Sequence, residues 1–274
     1  ADREAWYGDP RFVPDLIGEL LDPAYAAARR ALVGETASAE IRPGAPGGRS
    51  ARLPTPGTAL EEDASTGDPT IARSRAGAVR GDTCHLDVAD RWGNVVSATP
   101  SGGWLQSSPT IPGLGFCLGT RAQIFTLEPD LPNTLAPGKR PRTTLSPSLA
   151  LRDGEGWLAF GTPGADQQDQ WSLTFFARLQ ATGWDLQRVI DLPMFHTDAF
   201  PRSFYPHHWQ PRSLFLEDRF APETVAELRR RGHEIQIQPP WSLGRLSAVG
   251  YDRRTGLLHA AANPRGMQGY AVGR

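Results

Sequence analysis

The chain has 274 residues, 39% of them hydrophobic, which suits a soluble globular protein of one large or two small domains. Its 29 Lys and Arg against 30 Asp and Glu leave a formal charge of -1, which argues against non-specific nucleic-acid binding. Two cysteines exclude a disulfide framework, no apolar run approaches a membrane span, and the first residues lack the pattern of a secretory signal.

In chain order, AYAAARRALV has the spacing of a helix, with Asp22 and Pro23 placed to start it. Periodicity then stops. Residues 34–81 are small, polar and rich in Gly and Pro, the composition of a flexible segment, disordered or belonging to a processed region. Order resumes at Cys84, where HLDVAD and NVVSATP alternate around Arg91-Trp92-Gly93-Asn94 and predict a β-hairpin. Strands are expected at CLGTRAQIF, SLALRD and WLAFG, then helices at QWSLTFFARLQATG, with Gly183 as its stop, and at DLQRVIDL. A strand at SLFLE, a helix at APETVAELRRRG, a strand at EIQIQ and a final pair, LSAVGYD and LLHAAANP, complete the chain. This order predicts α+β layers, not a doubly wound sheet.

The junction Gly81-Asp82-Thr83-Cys84-His85 joins the polar segment directly to a strand. Were the bond between Asp82 and Thr83 cut, Thr83 would carry a free α-amine beside its hydroxyl. An α-amine titrates near 7.7–8.0, so it can take the hydroxyl proton and activate a weak nucleophile. The same hydroxyl is placed to attack the Asp82 carbonyl and make the cut itself. By residue type alone the signal is weak, and a threonine that merely opens a strand is the favoured reading.

GDTCHLDVADRWGNVVSAT resembles the start of the small subunit in the γ-glutamyltransferase family of N-terminal-nucleophile hydrolases, which begins Thr-Thr-His and continues to Asp-x-x-Gly-Asn. Thr83, His85, Asp90, Gly93 and Asn94 stand at the matching places. ADREAWYGDPRF resembles the end of the family's large subunit, PGKRPRTTLSP its KRP-Ser-Ser stretch, FGTPGADQQDQW its Pro-Gly-Gly turn, and NPRGMQGYAVGR its Asp-Pro-Arg terminus. The resemblance implies the C-terminal part of an αββα sandwich, with residues 1–82 ending a large subunit and 83–274 forming the small one. It makes Thr83 nucleophile and base, Ser101 the orienting hydroxyl, Gly164 and Ala165 the oxyanion donors, and Thr143 and Thr144 the holders of a substrate carboxylate.

The departures point elsewhere within that family. Where its γ-glutamyl grip uses Asn, Gln and Asp, this chain has Gly103 and, by the best alignment, Arg121 and Ile124. Arg121 suits a carboxylate or other anionic acyl group, as in an acylase-like branch. Cys84 and Cys117 read as small packed side chains, and Trp104 and Trp171 as candidates to line an apolar acyl pocket. His196, His207 and His208 lack a third ligand, and no phosphate loop is present, so neither metal nor cofactor is expected. The expectation is an autoprocessing amidohydrolase or acyltransferase acting on a small amide, glutathione hydrolase-like or of the cephalosporin- or glutaryl-acylase type. A non-catalytic binding homologue is the alternative. Half a sandwich leaves faces to cover, so the rest of a large subunit, or a second protomer, is expected as partner.

Overall fold

The computed structural model describes residues 1–55, 83–102, 108–205, 207–265 and 269–273. Three helices open the chain: α1 (Asp2–Trp6), α2 (Ile17–Leu20) and α3 (Pro23–Arg30). The Asp22 carboxylate accepts from the amides of Ala24 and Tyr25 and so starts α3, with Pro23 in its first turn, as its sequence predicts. Residues 34–55 contain one 3-10 turn (Pro46–Gly48) and otherwise run over the surface. They are tied down by the Ala37 amide on the Arg231 carbonyl, the Trp6 indole on the Gly44 carbonyl, and the Gly44 amide on Asp2. Residues 56–81 of the polar segment, and Asp82, lie outside the described residues.

Strands β1 (Leu86–Ala89) and β2 (Val95–Ala98) form the expected antiparallel hairpin, pairing Leu86 with Ala98 and Ala89 with Val95. Its turn is closed by Asp90, whose carboxylate accepts from the Trp92 and Asn94 amides and the Asn94 side chain. These bonds, Asn94's side chain first, hold the Asp90 carboxyl below its usual range.

Strands β3 (Ser148–Arg152) and β4 (Glu155–Gly161) follow, then α4 (Gln168–Thr182) and α5 (Leu186–Ile190). Next come β5 (Phe195–His196), β6 (Ser213–Glu217), α6 (Pro222–Arg230) and β7 (Glu234–Gln238), and last β8 (Ser247–Asp252) and β9 (Leu257–Ala262). Gly183 ends α4 in the left-handed conformation, and Asp185 caps α5 through the Arg188 amide. One expected strand is absent: in CLGTRAQIF only Cys117 makes a β-bridge, to Thr110, and Arg121–Ile124 is a 3-10 turn. Its alternation belongs to a loop whose backbone bonds are taken by Asn133, onto the Ile124 carbonyl, and by the Tyr205 amide, onto the Gln123 carbonyl.

The main sheet is antiparallel, in the order β3-β4-β8-β9. One face packs against α4 and α5, where Leu158, Phe160, Ala248 and Ala261 meet Trp171, Phe175, Leu179, Val189 and Ile190. The β1–β2 hairpin lies on the other face, giving helix, sheet and a second β layer in succession. Polar side chains lace those β layers: Ser97 donates to the Phe160 carbonyl and accepts from the Ser148 amide, and Ser247 donates to Asp87. Gly161 is needed where the layers touch, since any side chain there would overlap the His85 ring.

A smaller sheet, β5-β6-β7, pairs β6 and β7 in parallel around α6, which buries Val225 against Leu214 and Leu216. Arg265 joins this sheet to the main core. Fully buried, it pairs with buried Glu217 and donates to the Ile190 and Leu192 carbonyls, while Glu217 also accepts from the Met194 and Leu243 amides. Every charge in this cluster is partnered, as deep burial requires.

Candidate active site

The hairpin register decides the geometry at Thr83. Continued past β1 and β2, the ladder sets Thr83 opposite Ser101, and the Cys84 amide on the Pro100 carbonyl keeps that pairing. The Thr83 and Ser101 hydroxyl oxygens are 2.5 Å apart. Two residues on, His85 lies opposite Thr99 and bonds it through Nδ1 at 2.7 Å, with Nε2 2.9 Å from Asp87 Oδ2. Asp87 also accepts from Ser247 on β8 at 2.9 Å. Period-two alternation therefore aims Thr83, His85 and Asp87 at the main sheet, and the buried imidazole and carboxylate fix the strand that carries the threonine. Cys84, on the opposite face, is exposed, which corrects the expectation of a packed thiol there.

Thr83 and His85 line a cavity of about 280 Å³ with Pro163, Arg245, Ser247 and Tyr270. Ala165, Thr143, Thr144, Arg142, Arg3 and Trp6 line a second, of about 560 Å³. Pro163 faces the first and Ala165 the second, so the turn at Gly164 stands between them. Gly164 has φ of +129°, and a Cβ there would meet Trp171 at 3.0 Å. Only glycine satisfies both conditions. Among the described residues the amides of Gly164 and Ala165 make no backbone hydrogen bond, the state required of donors to an oxyanion. Thr144 is buried, whereas Thr143 is exposed and accepts from the Leu145 amide.

Arg121 approaches from the 3-10 turn. Its Nε lies 3.5 Å from where a Cβ on Gly102 would be, one residue past Ser101, and its guanidinium stands over the Phe204 ring at 5.5 Å. Ile124, on the same turn, is buried with Ala165 and Phe204. Gly103 and Trp104 lie outside the described residues. Trp171 is a core residue whose ring backs Gly164 and meets His196 edge-on. His196 is itself in the core, stacked on Phe215, and burial pushes its pKa down to about 4. Among the described residues no group of three or more His, Cys, Asp and Glu side chains could hold a metal.

A supporting set of charges was not legible in the sequence. Arg3 of α1 pairs with buried Asp166 at 2.9 Å, beside Ala165, and Asp166 also accepts from the Ser203 amide and hydroxyl. Glu4 takes both oxygens to Arg142 Nη2, at 2.8 and 3.0 Å, beside Thr143. Asp9 accepts from Arg140, which holds its carboxyl far below the usual range. The first nine residues thus brace both the candidate oxyanion turn and the paired threonines. Only the KRPR run and the acid after Pro-Gly-Ala hinted at it, since the Glu4–Arg142 partners are 138 positions apart.

The helix-backed antiparallel sheet with the β1–β2 hairpin laid on its other face is the layered fold expected of the C-terminal part of an αββα sandwich. The chain belongs to the Gamma-glutamyltranspeptidase family, which it matches over residues 1–273. It is 30% identical over 263 residues to the acylase ACY 1 proenzyme of Pseudomonas sp. (strain SE83), a match spanning 95% of this chain and 39% of that protein. To the glutathione hydrolase proenzyme of Pseudomonas sp. (strain A14) it is 26% identical, over 99% of this chain and 44% of that protein. The solved structure of a protein named LmbA2991 superposes on the whole chain with TM-score 0.85 and 58% identity, covering 46% of LmbA2991. The chain therefore spans about two fifths of the length of these curated relatives.

Proposed function

We propose that this chain carries the catalytic part of an amidohydrolase or acyltransferase whose nucleophile is Thr83, freed by scission of the bond between Asp82 and Thr83. The Thr83–Ser101 hydroxyl pair, with Thr83 on a cavity wall, carries this reading. The family membership, and relatives named as proenzymes of hydrolase and acylase type, support it. In the precursor, Thr83 Oγ adds to the Asp82 carbonyl, the peptide C–N bond breaks, and water hydrolyses the resulting ester, leaving an N-terminal threonine. In turnover, the freed amine takes the hydroxyl proton while Oγ bonds to the substrate's acyl carbon. The Gly164 and Ala165 amides are the proposed donors to the oxyanion. The amide C–N bond then breaks, the leaving amine takes the proton, and the acyl group passes from Thr83 to water or a second amine.

Residues 1–82 and 83–274 become two subunits in this scheme, the first held by the α1 ion pairs. Leu86, Val88 and Val96 are exposed on the outer face of the hairpin, and the remainder of a large subunit is the proposed cover. Intact-mass measurement on the full-length protein tests the proposal. Two species are expected, the smaller beginning at Thr83, and Thr83→Ala should stay uncut and inactive. An uncut wild type, or a Thr83→Ala variant that still hydrolyses acyl amides, would overturn it.

A further inference from the structure

We propose that Arg245 is a positioning residue for the nucleophile: its guanidinium, in the cavity that Thr83 lines, repels a proton from the freed Thr83 amine and so keeps that amine a working base near neutral pH. The inference rests on the Thr83 reading and adds a residue to its chemistry.

The two β layers place Arg245 beneath the threonine. Leu246 and Ala248 are buried in the core on the helix side of the main sheet, so the alternate residues Arg245 and Ser247 face the hairpin. Ser247 meets Asp87 there, and a side chain on Gly93, beyond the end of β1, would meet Tyr251. Strands β1 and β8 therefore run the same way, one over the other, and the residues before Ser247 lead back toward Thr83. Thr83, His85, Ser247 and Arg245 line one cavity of about 280 Å³.

Among the described residues Arg245 makes no hydrogen bond or ion pair. Burial pulls its pKa down from the usual value, with no neighbouring carboxylate to oppose that. Arg3, Arg142 and Arg265, by contrast, each hold an acid. A half-buried cation without a counter-charge is a cost that packing does not explain. A cavity of this volume is roughly 8 Å across, about the Debye length at physiological salt, so charges on its walls are little screened from each other. At such a separation a cation lowers the pKa of an amine by about one pH unit. An α-amine titrating near 7.7–8.0 is mostly protonated at pH 7, whereas one pH unit lower roughly half of it is free to take the hydroxyl proton.

The other charged and titratable groups around Thr83 are otherwise engaged. His85 and Asp87 are bonded to each other, and Arg265 is bound to Glu217. Arg121 lies beyond Ser101, against Gly102 and Phe204, while Cys84 and Tyr270 are exposed. Asp87 would act in the opposite sense, but it lies four residues along the strand, roughly 13 Å away, and its Oδ2 is shared by His85 and Ser247.

The test titrates the Thr83 amine in the full-length, processed protein and in Arg245→Met, Arg245→Gln and Arg245→Lys. Competitive acetylation by acetic anhydride, read by mass on the smaller species against a threonine peptide, reports the free-base fraction. The acid limb of kcat/KM for butanoyl anilide, a substrate with no charge for the arginine to bind, reports the same group through turnover. Wild type is expected to titrate near pH 7 by both readouts. Arg245→Met and Arg245→Gln should move the midpoint up by about one pH unit, an 8-fold or so loss at pH 6.5 relative to each variant's own plateau, and Arg245→Lys should restore it. A wild-type amine titrating at about 8 or above would overturn the inference even if the neutral variants fold poorly. So would a midpoint untouched by Arg245→Met, or a raised KM for glutaryl anilide at every pH with the limb in place, which would make the arginine a substrate ligand instead. Mass in the same samples separates this from failure of the nucleophile reading, in which the chain stays uncut and has no Thr83 amine to titrate.

Discussion

Gly164→Ala tests the turn between the two cavities. At φ of +129° an alanine is held in a region L side chains rarely adopt, a strain of about 1–3 kcal/mol. Its Cβ would also press on Trp171 at 3.0 Å, and Trp171 is too deeply packed to step aside. Overpacking of this kind costs about 1–3 kcal/mol. The two strains share one relaxation, so a net loss of about 3 kcal/mol is expected, or about 6–12 °C in Tm for a chain of this size. Measurement on a Thr83→Ala background keeps the polypeptide uncut, and urea unfolding should give a lower midpoint with unchanged slope. Adding Trp171→Leu should make the double variant more stable than the sum of the singles predicts, since it removes the contact but not the φ strain. In the processed protein, misdirected turn amides should lower kcat by about 100- to 1000-fold. A Gly164→Ala protein melting within a degree or two of its parent would refute the geometry, and one with normal kcat would refute the oxyanion role.

Two further outcomes follow from the site and the core. Ser101→Ala removes the hydroxyl that touches Thr83 and should lower kcat about tenfold or more with little change in KM, whereas an unchanged kcat would deny it an orienting role. His196 is held neutral in the fold at a pKa of about 4, against 6.5 when exposed, so the unfolded chain binds more protons between those values. Stability should therefore fall by about 3 kcal/mol as pH drops from 6.5 to 4, and His196→Phe should flatten that part of the urea-midpoint profile.

Local signals determined much of this protein in advance. The hairpin around Arg91–Asn94, the capped helices after Asp22 and Asp185, the Gly183 stop and most strands are short-range matters of period and turn chemistry, readable because their partners are near in sequence. The junction at Thr83 and the ordered motifs likewise point to one family. What failed was the strand through Arg121–Ile124, where alternation arose from a loop held by Asn133 and Tyr205, and the packed Cys84, whose face is decided by the sheet beneath. Only the tertiary structure slid His85 over Gly161 and brought Arg3 and Glu4 to Asp166 and Arg142. Such contacts join residues far apart along the chain. Their free energy comes from burying charge and shape together, and composition and periodicity carry no record of that.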